Sequence, residues 1–308
     1  MTYREKLKTH INDYFDYIDT SSVPNELSLN VVIPYYNSKE TINLLLTNLL
    51  SELKSVQDFV SNFIISIVDD GSLVAPANES VTREWQDLVR IIKLDHNAGR
   101  AKARNIGLLS TDQKYTLFVD SDIILAKGIL RNTLLRMHSV NSKNKSAIVC
   151  GLFDFISYKD YLRGTIPSKI TDFRIKCDYI ESYIGCENDR RFINKSFELM
   201  KDTNCFSKWD YKVGPWYLTN MVLGGLFCVN TAEAKHVGGC DEIFNDWGYE
   251  ETSLATKLIC NLDSYIIPIQ HPRSFHIDHL SSALSWGEKS HFFKKGHSLY
   301  EAFLDSSL

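Results

Sequence analysis

The chain lacks any long apolar run. No window of its 308 residues approaches the roughly 20 apolar residues that a membrane-spanning helix requires. Behind Met1-Thr2-Tyr3-Arg4-Glu5-Lys6 there is no apolar core of the kind a secretory signal carries. The expectation is a cytoplasmic protein, one that would serve any membrane process from the inner face. Cysteines show no pairing pattern: the seven, at 150, 177, 186, 205, 228, 240 and 260, are scattered, odd in number and without a C-x-x-C spacing. Buried, reduced thiols are therefore expected in place of a disulfide framework or a zinc site. Excess charge of one sign is missing too. A net charge of -4 implies no polyanion-binding surface, so no nucleic-acid partner is expected, although a local basic cluster can still grip a phosphate. Internal repeats and low-complexity tracts are absent.

What is present is an ordinary globular composition, 44% hydrophobic and 23% charged, able to bury a core. Leu7, Ile11, Tyr14, Phe15 and Ile18 recur at helical spacing. They predict an opening amphipathic helix of roughly four to five turns within residues 1–25, packed on the body, with peripheral membrane or partner docking as the alternative. From residue 26 strands and helices alternate. Strands are expected at 29–33, 63–68, 89–94, 115–119 and 146–150, and helices at 39–54 (with Ser38 as N-cap), 98–109 and 127–140. Continuous runs of β-branched residues in such an alternation predict an α/β domain with a mostly parallel central sheet covered on both faces. Residues 26–150 would form a nucleotide-binding half and 151–308 an acceptor and catalytic half of one domain. Later elements are expected as a strand at 221–229 interrupted by Gly224 and Gly225, a helix at 250–259, a strand at 265–267 and a terminal helix at 286–304. The two glycines mark either a bulge or a close approach of backbone to ligand.

Ligands in parallel sheets gather at the carboxyl ends of strands, and four such ends carry polar residues: Tyr35–Asn37, Asp69–Ser72, Asn97–Arg100 and Asp120–Asp122. Asp120-Ser121-Asp122 follows the apolar run Tyr115–Val119. Hard carboxylate oxygens there suit Mg²⁺ or Mn²⁺ bridging a diphosphate; a strand-ending Asp turn is the plain alternative. Arg100 and Arg104 lie four apart, one above the other on a helix whose start adjoins Asn97 and Gly99. Guanidinium groups near a helix N-terminus form an anion site; a solvated basic face is the alternative. Glu250 and Glu251 open a helix, where the dipole alone would favour two acids.

Val31-Val32-Ile33-Pro34-Tyr35-Tyr36-Asn37, Ile67-Val68-Asp69-Asp70-Gly71-Ser72, Asn97 through Gly107 and Val119-Asp120-Ser121-Asp122 together resemble the N-terminal half of a family 2 glycosyltransferase. Trp247-Gly248-Tyr249-Glu250-Glu251 resembles that family's acidic catalytic segment, and Phe275-His276-Ile277-Asp278-His279 its late histidine segment. The resemblance covers about residues 29–280 and implies a GT-A, Rossmann-like fold and an inverting, metal-dependent transfer from a UDP-sugar. It implies uracil contacts from Tyr36 and Asp70, with Pro34 and Glu40 at the same mouth and Glu40 toward a ribose hydroxyl. Arg100 would contact the donor, while Arg104 braces the carboxylates. Asp122 would hold the metal, joined by His276, with His279 as fallback. Asp120 would orient the ribose, the donor sugar or Arg104, with Ser121 and Gly225 also lining the donor site. Glu251 aligns with the catalytic base, and the choice between Glu250 and Glu251 stays open because the family's second acid is often Asp. Trp247, Asp246 and Trp216 are the acceptor candidates, with core packing as the alternative for the tryptophans. The donor sugar would be a hexose or N-acetylhexosamine, and the acceptor a saccharide or lipid-linked glycan. A sugar nucleotidyltransferase is the competing enzyme class. It normally shows a Gly-rich loop near the first strand, where this chain has Pro34-Tyr35-Tyr36-Asn37. A non-catalytic nucleotide-sugar or glycan-binding module is the third reading.

Overall fold

Leu29, Val31, Val32, Ile33 and Tyr35 are all buried, and a strand without a solvated face belongs inside a sheet covered on both sides. The computed structural model, which describes residues 1–76, 83–164, 172, 174, 197–200, 215–246, 248–278 and 286–308, places them there. The elements in order are α1 (Tyr3–Thr9), β1 (Leu27–Tyr35), α2 (Lys39–Lys54), β2 (Val60–Asp69), β3 (Val89–Lys93), α3 (Arg100–Leu109), β4 (Tyr115–Val119), β5 (Ile123–Ile124), α4 (Ile129–Ser142) and β6 (Ala147–Ser157). Then come α5 (Tyr158–Leu162), β7 (Glu198–Met200), β8 (Trp216–Tyr217), β9 (Leu226–Asn230), α6 (Thr231–His236), α7 (Glu250–Leu262), β10 (Tyr265–Asp278) and α8 (Trp286–Leu304). An eight-stranded sheet runs β3-β2-β1-β4-β9-β6-β10-β5, and β7 pairs with β8 separately.

The pairings β3–β2, β2–β1, β1–β4 and β6–β10 are parallel. β9 lies antiparallel between β4 and β6. Its first residue, Leu226, therefore pairs with the last of β4, Val119, and the Gly224-Gly225 turn reaches the carboxyl end of β4. The glycines precede the strand and do not interrupt it, and residues Leu218–Met221 form a 3-10 turn in place of the expected start of that strand.

β10 is far longer than the expected 265–267. Tyr265–Ile269 pairs with Ala147–Gly151, the register shifts, and Ser274–Asp278 pairs with Phe153–Ser157. Its second half also lies antiparallel to β5, with His276 opposite Ile123, and Ile277 N–H donates to the Asp122 carbonyl at 2.8 Å. Two residues more than 150 apart in the chain thus become neighbours.

The opening helix is shorter than its periodicity suggests. α1 spans seven residues, with Thr2 and Glu5 forming a capping box. Beyond α1 the chain is irregular through Tyr14; Leu7 and Tyr14 are buried, but Ile11 is 58% exposed, so the periodic residues do not form one buried helix face. The Asn12 side chain ends the helical pattern by acting as a strand partner: its Nδ2 donates to Ile266 O at 2.9 Å and its Oδ1 accepts from Ile266 N at 2.8 Å. Arg4 joins α1 to the C-terminal helix through Glu301 (3.0 Å) and Asp305 (2.5 Å). Ser38 precedes α2, but its hydroxyl donates to Tyr36 O and does not cap a helix N–H.

Asn12→Ala leaves both Ile266 backbone groups buried without that partner. Unfolding stability is expected to fall by about 1–3 kcal/mol, read as a lower urea midpoint at unchanged m-value. An unchanged midpoint would mean that water replaces the amide.

Candidate active site

Buried charges need partners, and the carboxylates at the end of β4 have them. Arg104, fully buried, donates from Nη2 to Asp120 Oδ1 at 2.6 Å and from Nη1 to Glu250 Oε1 at 2.5 Å. One guanidinium of α3 thereby joins the end of β4 to the start of α7. Arg100, a helical turn earlier, stands with Nη2 3.6 Å from Asp120 Oδ2. Gly224 is required by this arrangement, since a Cβ there would sit 2.4 Å from Arg104 Nη2. Sequence reading noticed the glycine doublet but assigned Gly225 to the donor. In the structure a Gly225 Cβ would lie 2.5 Å from Phe153 Cε1, so packing against Phe153 accounts for that glycine.

The two acids of α7 meet different surroundings. Burial pushes the Glu250 carboxyl up, but Arg104 and Arg100 overcome it and hold the group below its ordinary value. Glu251, 5% exposed, accepts from Gly224 N–H at 2.8 Å. Burial, and then the charge of Glu250, push its carboxyl up to about 8. Neighbouring carboxyls driven apart in this way divide into a fixed anion and a proton carrier.

At the other end of the triplet, His276 Nε2 lies 3.6 Å from Asp122 Oδ2. The imidazole sits against Phe153 and Phe155, with ring centroids 5.5 and 5.0 Å away; these alternate residues of β6 share one face. Among the described residues no group of three or more His, Cys, Asp or Glu side chains converges on one point. The protein offers an oxygen and a nitrogen, a donor pair that Mn²⁺ or Mg²⁺ accepts when oxygens from outside the protein, such as those of a diphosphate, complete the shell. The pair fits such an ion. His279 lies outside the described residues.

The nucleotide-side motif divides its labour. Asp69 makes the turn, its Oδ1 accepting from Ser72 N–H at 2.9 Å. Asp70 accepts from Ala98 N–H (2.7 Å) and Gly99 N–H (3.0 Å), drawing the loop before α3 against the end of β2. Gly71, at φ 71°, permits that approach, because a Cβ would stand 2.4 Å from the His96 carbonyl carbon. Tyr36, 48% exposed, presents its ring at the end of β1, with Pro34 half-buried within that strand and Glu40 exposed on the first turn of α2. Ser121 is buried beside the two aspartates.

The acceptor candidates fare unevenly. Trp216 is 1% exposed and its ring lies parallel to that of Phe293; it is core, without a face to offer a sugar. Asp246 is exposed enough to meet a ligand but is paired with Lys295 of α8 at 2.5 Å. Trp247 lies outside the described residues. Sequence patterns did not mark the contact of Gly224 with Arg104, the Phe153 and Phe155 wall, or the backbone of Tyr249, a non-glycine residue at φ 74° directly before the acids. The alternation of Phe153 and Phe155 was a visible signal. Nothing in the residue type announces the backbone of Tyr249. A buried clasp was also unforeseen: Arg174 bonds Asp172 (2.6 Å), Gly151 O (3.1 Å) and Met221 O (2.6 Å), and its guanidinium covers the Phe153 ring.

This curled, mostly parallel sheet with carboxylates at the end of β4 is the GT-A glycosyltransferase fold. It superimposes on Staphylococcus aureus TarS in complex with UDP at a TM-score of 0.53 and 17% identity, covering 92% of this chain and 67% of that one. It also matches a mannosyltransferase from Pyrobaculum calidifontis in complex with GDP-Man and Mn²⁺ at a TM-score of 0.53 and 15% identity, over 99% of this chain and 70% of that one. The model of the family described as "Glycosyl transferase family 2" matches residues 30–197, and the chain belongs to that family. The dolichyl-phosphate beta-glucosyltransferase of Dictyostelium discoideum is 26% identical over 160 residues, 48% of this chain and 49% of the relative. The chain spans about half the length of that relative.

A carboxyl held at about 8 in the fold against an ordinary value of 4.5 keeps a proton that the unfolded chain has already released. Its contribution to stability is full below the unfolded value and is lost as pH rises through about 8. Wild-type protein is therefore expected to lose stability relative to Glu251→Gln, which mimics the neutral acid, between about pH 5 and about pH 8.5. Thermal melts of both across that range test this, and parallel curves would contradict the raised value.

Proposed function

We propose that the protein is an inverting, metal-dependent glycosyltransferase that moves a hexose or N-acetylhexosamine from a UDP-sugar to a saccharide or lipid-linked glycan, forming a β-glycosidic bond. One observation carries this reading: the Asp120–Arg104–Glu250 ion network joins a metal-suited pair, Asp122 and His276, to a carboxyl poised to exchange a proton, Glu251. The relatives support the parts. TarS was solved with UDP, the Pyrobaculum enzyme with a sugar nucleotide and Mn²⁺, and the Dictyostelium relative is named as a glucosyltransferase acting on dolichyl phosphate.

Tyr36 offers an exposed ring to the uracil face, and we assign Pro34, Asp70 and Glu40 to the same mouth, Asp70 to the uracil imide and Glu40 to a ribose hydroxyl. Arg100, one turn from the buried network and partly exposed, faces the diphosphate. A divalent ion held by Asp122 and His276 would neutralise charge on the departing nucleotide. Asp120, tied to both arginines, keeps them aligned and turns its remaining capacity to the donor with Ser121. Glu251 takes the proton of the acceptor hydroxyl while that oxygen bonds to the anomeric carbon on the face opposite the leaving diphosphate. The bond that breaks joins the anomeric carbon to the diphosphate oxygen, and its electron pair leaves with UDP. Glu250, fixed as an anion by Arg104, is unsuited to be the base and suited to shape the field around Glu251. Trp247 and Asp246, next to the acids in sequence, are the positions we assign to the acceptor.

Among the described residues no helix is long and apolar enough to cross a membrane. With a lipid-linked acceptor the protein would work from the cytoplasm at the membrane's inner face, and α1, whose hydrophobic side is turned to the body, would not be the anchor.

The test is to incubate the protein with Mn²⁺ and a panel of UDP- and GDP-sugars, with and without saccharide or lipid-linked acceptors, and to follow nucleotide release. Wild type is expected to release UDP, with kcat/KM rising with pH and levelling above about 8 as Glu251 loses its proton. Glu251→Gln should lower kcat about 10²–10⁴-fold at unchanged UDP affinity, and Asp122→Ala should abolish the Mn²⁺ dependence of UDP binding. UDP binding indifferent to Asp122→Ala would sink the donor site, and full turnover by Glu251→Gln would move the base to Glu250.

A further inference from the structure

Tyr249 stands directly before the acid pair at φ 74°, ψ -6°. A bulky L-residue is an outlier in this left-handed region and persists there only when its surroundings over-determine it. Gly248 before it also has positive φ, 93°. Two such residues in succession swing the chain into α7, and Ser253 N–H donates to Tyr249 O at 2.9 Å, making it the first carbonyl of the helix.

The side chain is held from the far side by the C-terminal helix. Its ring is buried, stacked on Tyr300 at 5.2 Å, and lies 5.1 Å from Phe293. Its hydroxyl is 3.1 Å from His297 Nδ1. His297 Nε2 lies 3.8 Å from Glu301 Oε1, which accepts from Tyr217 O–H at 2.7 Å, while Arg4 of α1 holds the other Glu301 oxygen at 3.0 Å. α8 comes close enough to do this at Gly296, where a Cβ would stand 2.9 Å from Tyr249 Cδ2. Consecutive helical residues point about 100° apart, so the rotation of the first turn decides that Glu250 meets Arg104 and Glu251 meets Gly224 N–H.

We propose that Tyr249 is a positioning residue for the transfer reaction: clamped by α8 through Phe293, His297 and Tyr300, it fixes the rotation of the first turn of α7 and with it the separate duties of Glu250 and Glu251. This rests on the reading of Glu251 as the base. The clamp is assembled from α8 and α1, elements outside the nucleotide-binding strands, so it acts on the acids through the backbone of Tyr249.

Two substitutions separate backbone from anchor. Tyr249→Gly adopts the left-handed conformation freely but removes the clamp, whereas Tyr249→Phe keeps the ring and loses the hydroxyl. In Tyr249→Gly, kcat is expected to fall about 10²-fold, the cost of misplacing a reacting group by about 1 Å, while Kd for UDP with Mn²⁺ and donor KM stay within about twofold. Tyr249→Phe should restore kcat to within about fivefold of wild type. Amide hydrogen exchange supplies a readout independent of turnover: Ser253 N–H should exchange about tenfold faster or more in Tyr249→Gly, while Asp263 N–H, at the far end of α7, stays unchanged. Wild-type kcat in Tyr249→Gly, a parallel loss of kcat and UDP affinity, or unaltered Ser253 exchange would overturn the proposal. Should Tyr249→Gly fail to fold, His297→Ala, which removes both the partner of the hydroxyl and a ring whose centroid lies 6.0 Å from that of Tyr249, should show the same split at about tenfold in kcat. A wild-type protein inert toward every nucleotide sugar would refute the transferase reading, and the exchange measurement would still decide whether the clamp exists.

Discussion

The guanidinium of Arg104 is the interaction on which the site depends. It lies in the protein interior between Asp120, at the end of β4, and Glu250, at the start of α7. Taking such charges out of water costs several kcal/mol per ion, and removing one partner of a buried pair costs about 3–5 kcal/mol, because the other is left uncompensated. The network is therefore stable only when all three members are present. Its presence dictates further choices: glycine at 224, where any side chain would strike Arg104, and a second arginine at 100 to meet the remaining Asp120 oxygen. It also fixes the acid pair's asymmetry. Glu250 takes the direct ion pair, and at Glu251 burial and the like charge of Glu250 outweigh the pull of Arg104, so its proton affinity rises.

The sheet's reversals deliver these residues to one place. A wholly parallel sheet would carry β9 away from the end of β4; lying antiparallel, β9 begins beside Asp120 and brings the glycine turn with it. The register shift in β10 serves the other end of the site. It lets one strand pair with β6 on both sides of the shift and then flank β5, so that His276 reaches Asp122. The terminal helices complete the arrangement from behind, where Arg4, Glu301 and His297 link α1 and α8 to the backbone entering α7.

Much of this was legible in the chain. Apolar runs ending in polar clusters located β1, β2 and β4 and placed Asp70, Asp120 and Asp122 at strand ends, because burial on both faces and a polar carboxyl end are written in residue type. The terminal helix at 286–304 was read with the bounds observed. Where reading failed, residue type was ambiguous. The periodicity of Leu7, Ile11 and Tyr14 suggests one helix face, but Ile11 is exposed while Leu7 and Tyr14 are buried, and irregular chain held by Asn12 follows α1. Trp216 fits a sugar platform and a core equally well by composition, and only its neighbours, Phe293 among them, decide for the core.

By itself the sequence determined the local order of strands and helices, the identity of the carboxylates, arginines and histidine that carry the chemistry, and their family resemblance, since these follow from short-range patterns of polarity and spacing. Only the tertiary structure decided which carboxylate each arginine meets, that Glu251 and not Glu250 retains a proton near neutral pH, that Gly225 serves packing, and that Tyr249 is held in a left-handed conformation. Those outcomes depend on desolvation and on charges brought together from distant parts of the chain, and neither quantity exists until the sheet has closed around them.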